Sequence, residues 1–353
     1  MPASRYRGRR AFTIENTELR VTVLVEGGHI AELFDKLTGI NPLWTPVWES
    51  VEPSAFAPQH HDVFGTGPDA RLLAGIMGHN LCLDIFGPPS PEEFAAGLTA
   101  HGEGSLVRYE IETSSATLVA RARFPLAQLA FERRIDLHGR AVRVRERVEN
   151  LVAVDRPIAW TQHVTLGPPF LEKGSTELRA SASRSKVFET NVGGADYLEP
   201  GAEFDWPFAP RLDGGTTDLR RVTDAAASSA YTAQLMDPAR EAACFVAFSP
   251  STRLALAYVW KTQDFPWLGI WEENASRTAS PWNGCSFTRG LEFGVSPFPE
   301  TRRQMVERGS LFGVPTYRWI PAAVVLDVEY WAVLQTANEP PESVAWPVPT
   351  ATL

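Results

Sequence analysis

Three side chains sit in settings suited to proton transfer: Glu292, His163 and His101. Glu292 lies in Gly290-Leu291-Glu292-Phe293-Gly294. On an extended strand its carboxylate shares a face with both glycines, which leaves room beside it for a ligand; the alternative is an outward-facing surface acid. His163 ends Trp160-Thr161-Gln162-His163, an apolar run where a histidine is either a hydrogen-bonded core residue or an acid–base group. His101 falls in Ala100-His101-Gly102-Glu103-Gly104, a glycine-flanked loop of the kind that carries function. Imidazole titrates at about 6.5 and can hold and return a proton near neutrality. A glutamate at about 4.3 is a weak base unless burial raises it, so a catalytic Glu292 requires a partly desolvated pocket.

The elements that must position them read as strands. Leu19, Val21, Val23 and Val25 alternate with other residues up to the Gly27-Gly28 turn. Phe131–Ile135 and Ala141–Val148 flank a polar turn at His138-Gly139 and form a hairpin, with Val142, Val144 and Val148 on one face and Arg143, Arg145 and Arg147 on the other. Period-two alternation of this kind marks half-buried antiparallel strands. Thr117–Phe124, Ala243–Ser249, Leu254–Trp260, Leu268–Trp271 and Val324–Leu334 are further strand candidates. Helix is expected only at Pro91–Ala96, with Ser90 as its N-cap. Pro88–Gly104 and Asn191–Pro210 read as long loops, and residues 339–353 as a Pro-rich tail. No internal repeat is evident. The chain is therefore expected to be all-β, one domain over residues 1–353, built as a sandwich or a barrel.

Composition narrows the chemistry. The 353 residues are 44% hydrophobic and 21% charged, an ordinary globular balance, and the net charge of −9 argues against a nucleic-acid partner. Cys82, Cys244 and Cys285 share no CxxC spacing and read as free thiols in a reducing compartment. The first fifteen residues lack a secretory apolar stretch, and no run suggests a membrane helix, so a cytoplasmic location is expected. His60, His61, Asp62 and His79 raise the idea of a metal site, but adjacent strand residues point to opposite faces and no His-x-His or HExxH spacing occurs. Neither metal nor cofactor is expected. No G-x-S-x-G, Walker or dinucleotide-binding fingerprint appears.

Several segments in order resemble the galactose mutarotase-like, or aldose 1-epimerase-like, superfamily. Gly27-Gly28-His29-Ile30-Ala31-Glu32-Leu33-Phe34-Asp35, with Thr38-Gly39 and Pro42-Leu43-Trp44, is similar to that family's opening hairpin. Leu98–Gly104 resembles the segment holding a substrate-binding histidine. Glu149-Asn150-Leu151 followed by Trp160-Thr161-Gln162-His163 resembles the strand with the catalytic histidine, and Gly290-Leu291-Glu292-Phe293 the strand with the catalytic glutamate. The resemblance implies a large antiparallel β-sandwich (a supersandwich) and an isomerase that opens a sugar ring by acid–base catalysis. It assigns Glu292 as base, His163 as acid on the opposite side of the sugar, and His101 as a substrate-binding group.

The chain also departs from that pattern. Val164-Thr165-Leu166 follows His163 where an aromatic residue and an asparagine are usual, and Gly78–Asp84 has no counterpart. These differences suit a divergent member acting on another sugar. Asp264 is the candidate for the acid that fixes sugar hydroxyls, and Arg71 could hold a hydroxyl or a phosphate or be a plain surface arginine. Trp260, Trp267, Trp271 and Trp282 offer flat platforms for a pyranose; most large aromatics pack in cores, so one or two are expected at the ligand, with Trp267 and Trp271 the candidates. A sugar or sugar derivative is the expected partner. The rival readings are a non-catalytic carbohydrate-binding protein and a polysaccharide lyase or hydrolase on the same fold.

Overall fold

The structure, a computed structural model, describes residues 4–349. Among them two large antiparallel sheets dominate, one of twelve strands and one of eight. The smaller sheet contains the hairpin expected from the sequence, as Leu129–His138 and Ala141–Asn150, and beside it Thr117–Phe124 and Val325–Thr336. Along Leu129–His138 every second residue is buried, as the alternation requires. The buried faces of the two sheets meet in one apolar core that includes Val21, Leu81, Val164, Leu291 and Phe293 from one, and Phe131, Val144, Phe245, Leu256 and Tyr330 from the other.

The larger sheet departs from simple alternation. In its centre run His79–Asp84, Arg156–Leu166, Phe287–Gly294, Trp267–Asn274 and Ser228–Met236, each paired with the next. Ser228–Met236 is buried at every position, and Arg156–Leu166 from Ile158 onward. A strand buried on both faces needs a second cover. Trp44, Leu72, Ile76, Leu106 and Trp282 cluster on one part of that outer side, and Phe86, Phe298, Met305 and Leu311 on another. The long segments between strands thus act as a roof over the sheet.

Ser90 caps the short helix Pro91–Ala95, accepting from the Glu93 N–H at 3.2 Å. The segment Asn191–Pro210 is not loop throughout: Glu203–Asp205 pairs with Ala182–Val187, and Phe208–Pro210 with Thr216–Asp218. In the tail, Val344, Trp346 and Val348 pack on Cys244, Val259 and Trp331; its last residues, 350–353, lie outside the described part. No helix among the described residues is long and apolar enough to cross a membrane.

A buried ion pair lies inside the sandwich. Arg133 and Glu146 sit on the apolar faces of their strands, and Arg133 Nε donates to Glu146 Oε1 at 2.7 Å. Glu146 also accepts from Tyr330 Oη, Trp160 Nε1 and Gln162 Nε2, and His79 contacts Gln162 Oε1 at 3.0 Å. A buried charge is tolerable only with this degree of pairing. The network grips the core face of the strand whose other face carries His163.

Candidate active site

Register places the key groups in one row. Asn80, His163, Glu292 and Gly269 are direct cross-strand partners on four neighbouring strands of the larger sheet. The Asn80, His163 and Glu292 side chains share the roofed face. His163 Nε2 and Glu292 Oε1 are 3.0 Å apart, both groups almost wholly buried. His163 Nδ1 is 2.9 Å from Thr165 Oγ1, a hydroxyl that can donate or accept as the ring changes state. His101 enters from the roof: its ring lies 5.2 Å from that of His163, and its Nδ1 is 2.6 Å from the Phe86 carbonyl. A carbonyl only accepts, so Nδ1 carries the proton and the neutral ring keeps its Nε2 lone pair for a ligand hydroxyl. His101 has φ +64° and Gly102 φ +76°. A Cβ on Gly102 would stand 2.3 Å from the Leu83 carbonyl oxygen, so only glycine fits there.

Glu292, His163 and His101 line a single cavity of about 190 Å³ together with Trp44, Asp69, Tyr231, Trp271, Arg277 and Trp282. One wall is aromatic: Trp44 stacks on Trp282 at 6.1 Å, Trp271 meets Trp282 edge-on at 6.1 Å, and the Arg277 guanidinium sits 4.7 Å above the Trp282 ring. Burial governs the protonation of the polar groups. It raises Glu292 from 4.5 to about 8, against the opposing effect of a hydrogen bond with Tyr231. Burial likewise lowers His101 from 6.5 to about 4, and holds His163 well below 6.5 with His101 adding repulsion. The Glu292–His163 pair therefore carries one proton at neutral pH, exchangeable along their shared hydrogen bond.

Glycines shape the site differently from the sequence expectation. A Cβ on Gly290 would stand 2.5 Å from Glu292 Oε1, and one on Gly294 2.4 Å from Thr161 Oγ1. The space they leave is filled by the protein's own polar atoms rather than kept for a ligand. Gly269, opposite Glu292, makes room for Tyr231, whose Oη would be 2.0 Å from a Cβ there.

Three residues proposed from the sequence stand elsewhere. Arg71 is exposed on the short helix Ala70–Gly75, its Nε donating to the Pro53 carbonyl at 2.9 Å. Asp69, Leu72, Leu73 and Ile76, spaced at helical intervals, face the cavity, and Arg71 is off that face. Asp264 precedes its strand and faces Arg318 at 3.9 Å, outside the cavity. Trp267 is fully buried, its Nε1 donating to the Pro315 carbonyl at 3.0 Å; it lies four residues, about 13 Å at about 3.3 Å each, along the strand from Trp271. Trp271 and Trp282 do line the cavity, whereas Trp260 is core. His60, His61 and His79 do not converge: the first two flank Phe56, and His79 points into the sandwich toward Tyr258 and Gln162. Among the described residues no group of three or more His, Cys, Asp or Glu could hold a metal ion. Asp69, Tyr231 and Arg277 escaped the sequence reading, and Trp44 entered it only as part of the hairpin-like segment; Asp69 left a local trace in its spacing from Leu72, Leu73 and Ile76.

Solved structures share this architecture. A candidate aldose 1-epimerase from Klebsiella pneumoniae superposes with a TM-score of 0.64 at 15% identity, over 94% of this chain and 80% of that one. This chain has the galactose mutarotase-like fold. A second candidate aldose 1-epimerase, from Escherichia coli K12, gives a TM-score of 0.60 at 13% identity over 92% and 99% of the two chains. A galactose mutarotase related enzyme from Lactobacillus acidophilus gives 0.57 at 12%, over 94% and 99%. No family model and no curated protein sequence matches the chain. Identities this low carry the mutarotase-like fold across and leave chemistry to be argued from the site.

Proposed function

We propose that the protein is an aldose 1-epimerase-like isomerase that interconverts the anomers of a sugar by ring opening, without a cofactor. The observation that carries this reading is the buried 3.0 Å contact between His163 and Glu292 in a cavity they share with His101. The sequence led us to expect the two groups on opposite sides of a sugar; they stand side by side. That arrangement suits the reaction, because the anomeric oxygen and the ring oxygen are bonded to the same carbon. As the O1–H bond breaks, its proton passes to whichever partner lacks one, and the other partner's proton goes to the ring oxygen. The C1–O5 bond then breaks, C1=O1 forms, and the carbonyl rotates about C1–C2. Closure runs the same transfers in reverse and returns the pair to its starting charge. Either tautomer of a singly protonated pair supplies one acid and one base. His101 Nε2 is placed to accept a sugar hydroxyl, and Trp271 or Trp282 to face its C–H side.

A cavity of about 190 Å³ lies below the roughly 300–1,000 Å³ of sites for larger ligands, which favours a single monosaccharide and counts against polysaccharide cleavage. The test is polarimetry or exchange NMR on freshly dissolved aldoses and their derivatives, with Glu292→Gln alongside. Acceleration by the wild type, reduced roughly 10²–10⁴-fold in the variant with sugar binding kept, supports the reading. Binding without acceleration across the panel would leave a carbohydrate-binding protein instead.

A further inference from the structure

A second, larger hollow lies beyond the candidate active site, lined by residues from both sheets and from the Gly309–Trp319 segment. It measures about 1,010 Å³, and its lining includes Leu235, Lys261, Gln263, Tyr317 and Trp319. The two hollows share no lining residue. Leu235 lies four residues beyond Tyr231 on one strand, about 13 Å at about 3.3 Å per residue, and Trp267 and Phe298 pack in the same apolar cluster as both.

Trp319 is 55% exposed, unusual for the largest apolar side chain. The strand Arg318–Ile320 pairs with Arg156–Ile158, which fixes Trp319 opposite Pro157. Tyr317, two residues earlier, meets the Trp319 ring edge-on at 5.8 Å and 80°. The hollow is therefore walled by a rigid aromatic pair, with Pro266, Pro315 and Val314 as apolar neighbours. Its polar groups include the Thr262 and Tyr317 hydroxyls, an amide, and three cations against one carboxylate, and two of the cations are matched by acids just outside the lining. Arg240 is 3.4 Å from Asp237, and Arg318 is 3.9 Å from Asp264 while donating to the Gln263 carbonyl at 3.0 Å. Lys261 and Glu241 add one charge of each sign.

We infer that this hollow is an accessory binding groove for a neutral oligosaccharide, with Trp319 and Tyr317 as its stacking platform. An exposed indole offers a flat apolar face to sugar C–H groups while surrounding donors and acceptors take the hydroxyls. Balanced charge selects against a phosphorylated or uronic-acid chain. The size, at the top of the range for small-ligand sites, suits several linked sugars and exceeds what one monosaccharide fills. The inference stands on different residues from the proposed isomerase and survives or fails separately.

The test is tryptophan fluorescence and saturation-transfer NMR on the full chain with cellohexaose, maltohexaose, xylohexaose and a proline-rich decapeptide. One of the hexaoses is expected to bind, with Trp319→Ala and Tyr317→Ala each weakening it about tenfold or more, as removal of an aromatic anchor does. Glu292→Gln should keep that binding. Because Trp319 is exposed, its variant should unfold at the wild-type temperature. Failure of all three hexaoses to bind at millimolar concentration overturns the inference, as does undiminished affinity in Trp319→Ala. Loss of binding in Glu292→Gln would move the chain into the small cavity, and preference for the peptide would make the groove a protein-docking site; either result overturns it too.

Discussion

Replacing Glu292 with glutamine should make the protein more stable above pH 5, by an amount that grows with pH. Burial raises the carboxyl from 4.5 to about 8 in the folded state. Between those values the unfolded chain releases the proton while the folded chain keeps it. A carboxyl with a raised folded value contributes stability that is complete below its unfolded value and is lost as pH rises through the folded one. Each pH unit of the interval is worth about 1.4 kcal/mol, so the ceiling is about 3 kcal/mol at pH 7 and about 5 kcal/mol at pH 8 and above. Relaxation around the charge and water reaching the cavity will lower both figures. Glutamine is nearly isosteric, remains neutral, and its amide can donate to His163 Nε2 in place of the carboxylic acid. Chemical denaturation of both proteins from pH 5 to pH 9 reads the difference directly. The curves should nearly coincide at pH 5, with the variant pulling ahead to a plateau above pH 8. A stability difference independent of pH, or a wild type more stable than the variant at pH 8, would refute the claim that Glu292 is held protonated by its surroundings. Wild-type stability should also fall as pH drops below 6.5, because His163 and His101 are held neutral in the fold and protonate when it unfolds. A stability maximum near neutrality, flattened on its alkaline side in Glu292→Gln, is the combined expectation.

Further outcomes follow from the same geometry. Gly269→Ala places a methyl 2.0 Å from Tyr231 Oη and should cost about 1–3 kcal/mol, and pairing it with Tyr231→Phe should recover part of that loss in a denaturant melt. Thr165→Val removes the hydroxyl partner of His163 Nδ1; kcat for anomer exchange should fall about tenfold, and Thr165→Ser should restore most of it, with the His163 tautomer followed by nitrogen NMR. Glu146→Ala strands the Arg133 charge inside the sandwich and should cost about 3–5 kcal/mol in chemical denaturation, far more than truncating exposed Glu132.

The sheet strands were legible because alternation is local: a strand's buried face is written at every second residue. Leu129–His138 shows this at each position, and Ser90 announced its helix through capping chemistry alone. Even the buried ion pair left a mark. Arg133 and Glu146 occupy apolar-face positions in otherwise alternating strands, Glu146 in line with Val142, Val144 and Val148. The candidate site was legible only in part, since His101, His163 and Glu292 were picked out by a resemblance in sequence order. Arg71, Asp264 and Trp267 looked equally suitable by residue type. What separated them from Asp69, Tyr231 and Arg277 is the convergence of a helix N-terminus, a strand and a loop far apart in sequence. No period within one strand encodes how its neighbours pair. Which side chains meet, and that His163 touches Glu292 instead of facing it across a ligand, follows from cross-strand register and from the roof that dries the site. Both arise only when distant segments pack, because desolvation and contact depend on three-dimensional neighbours.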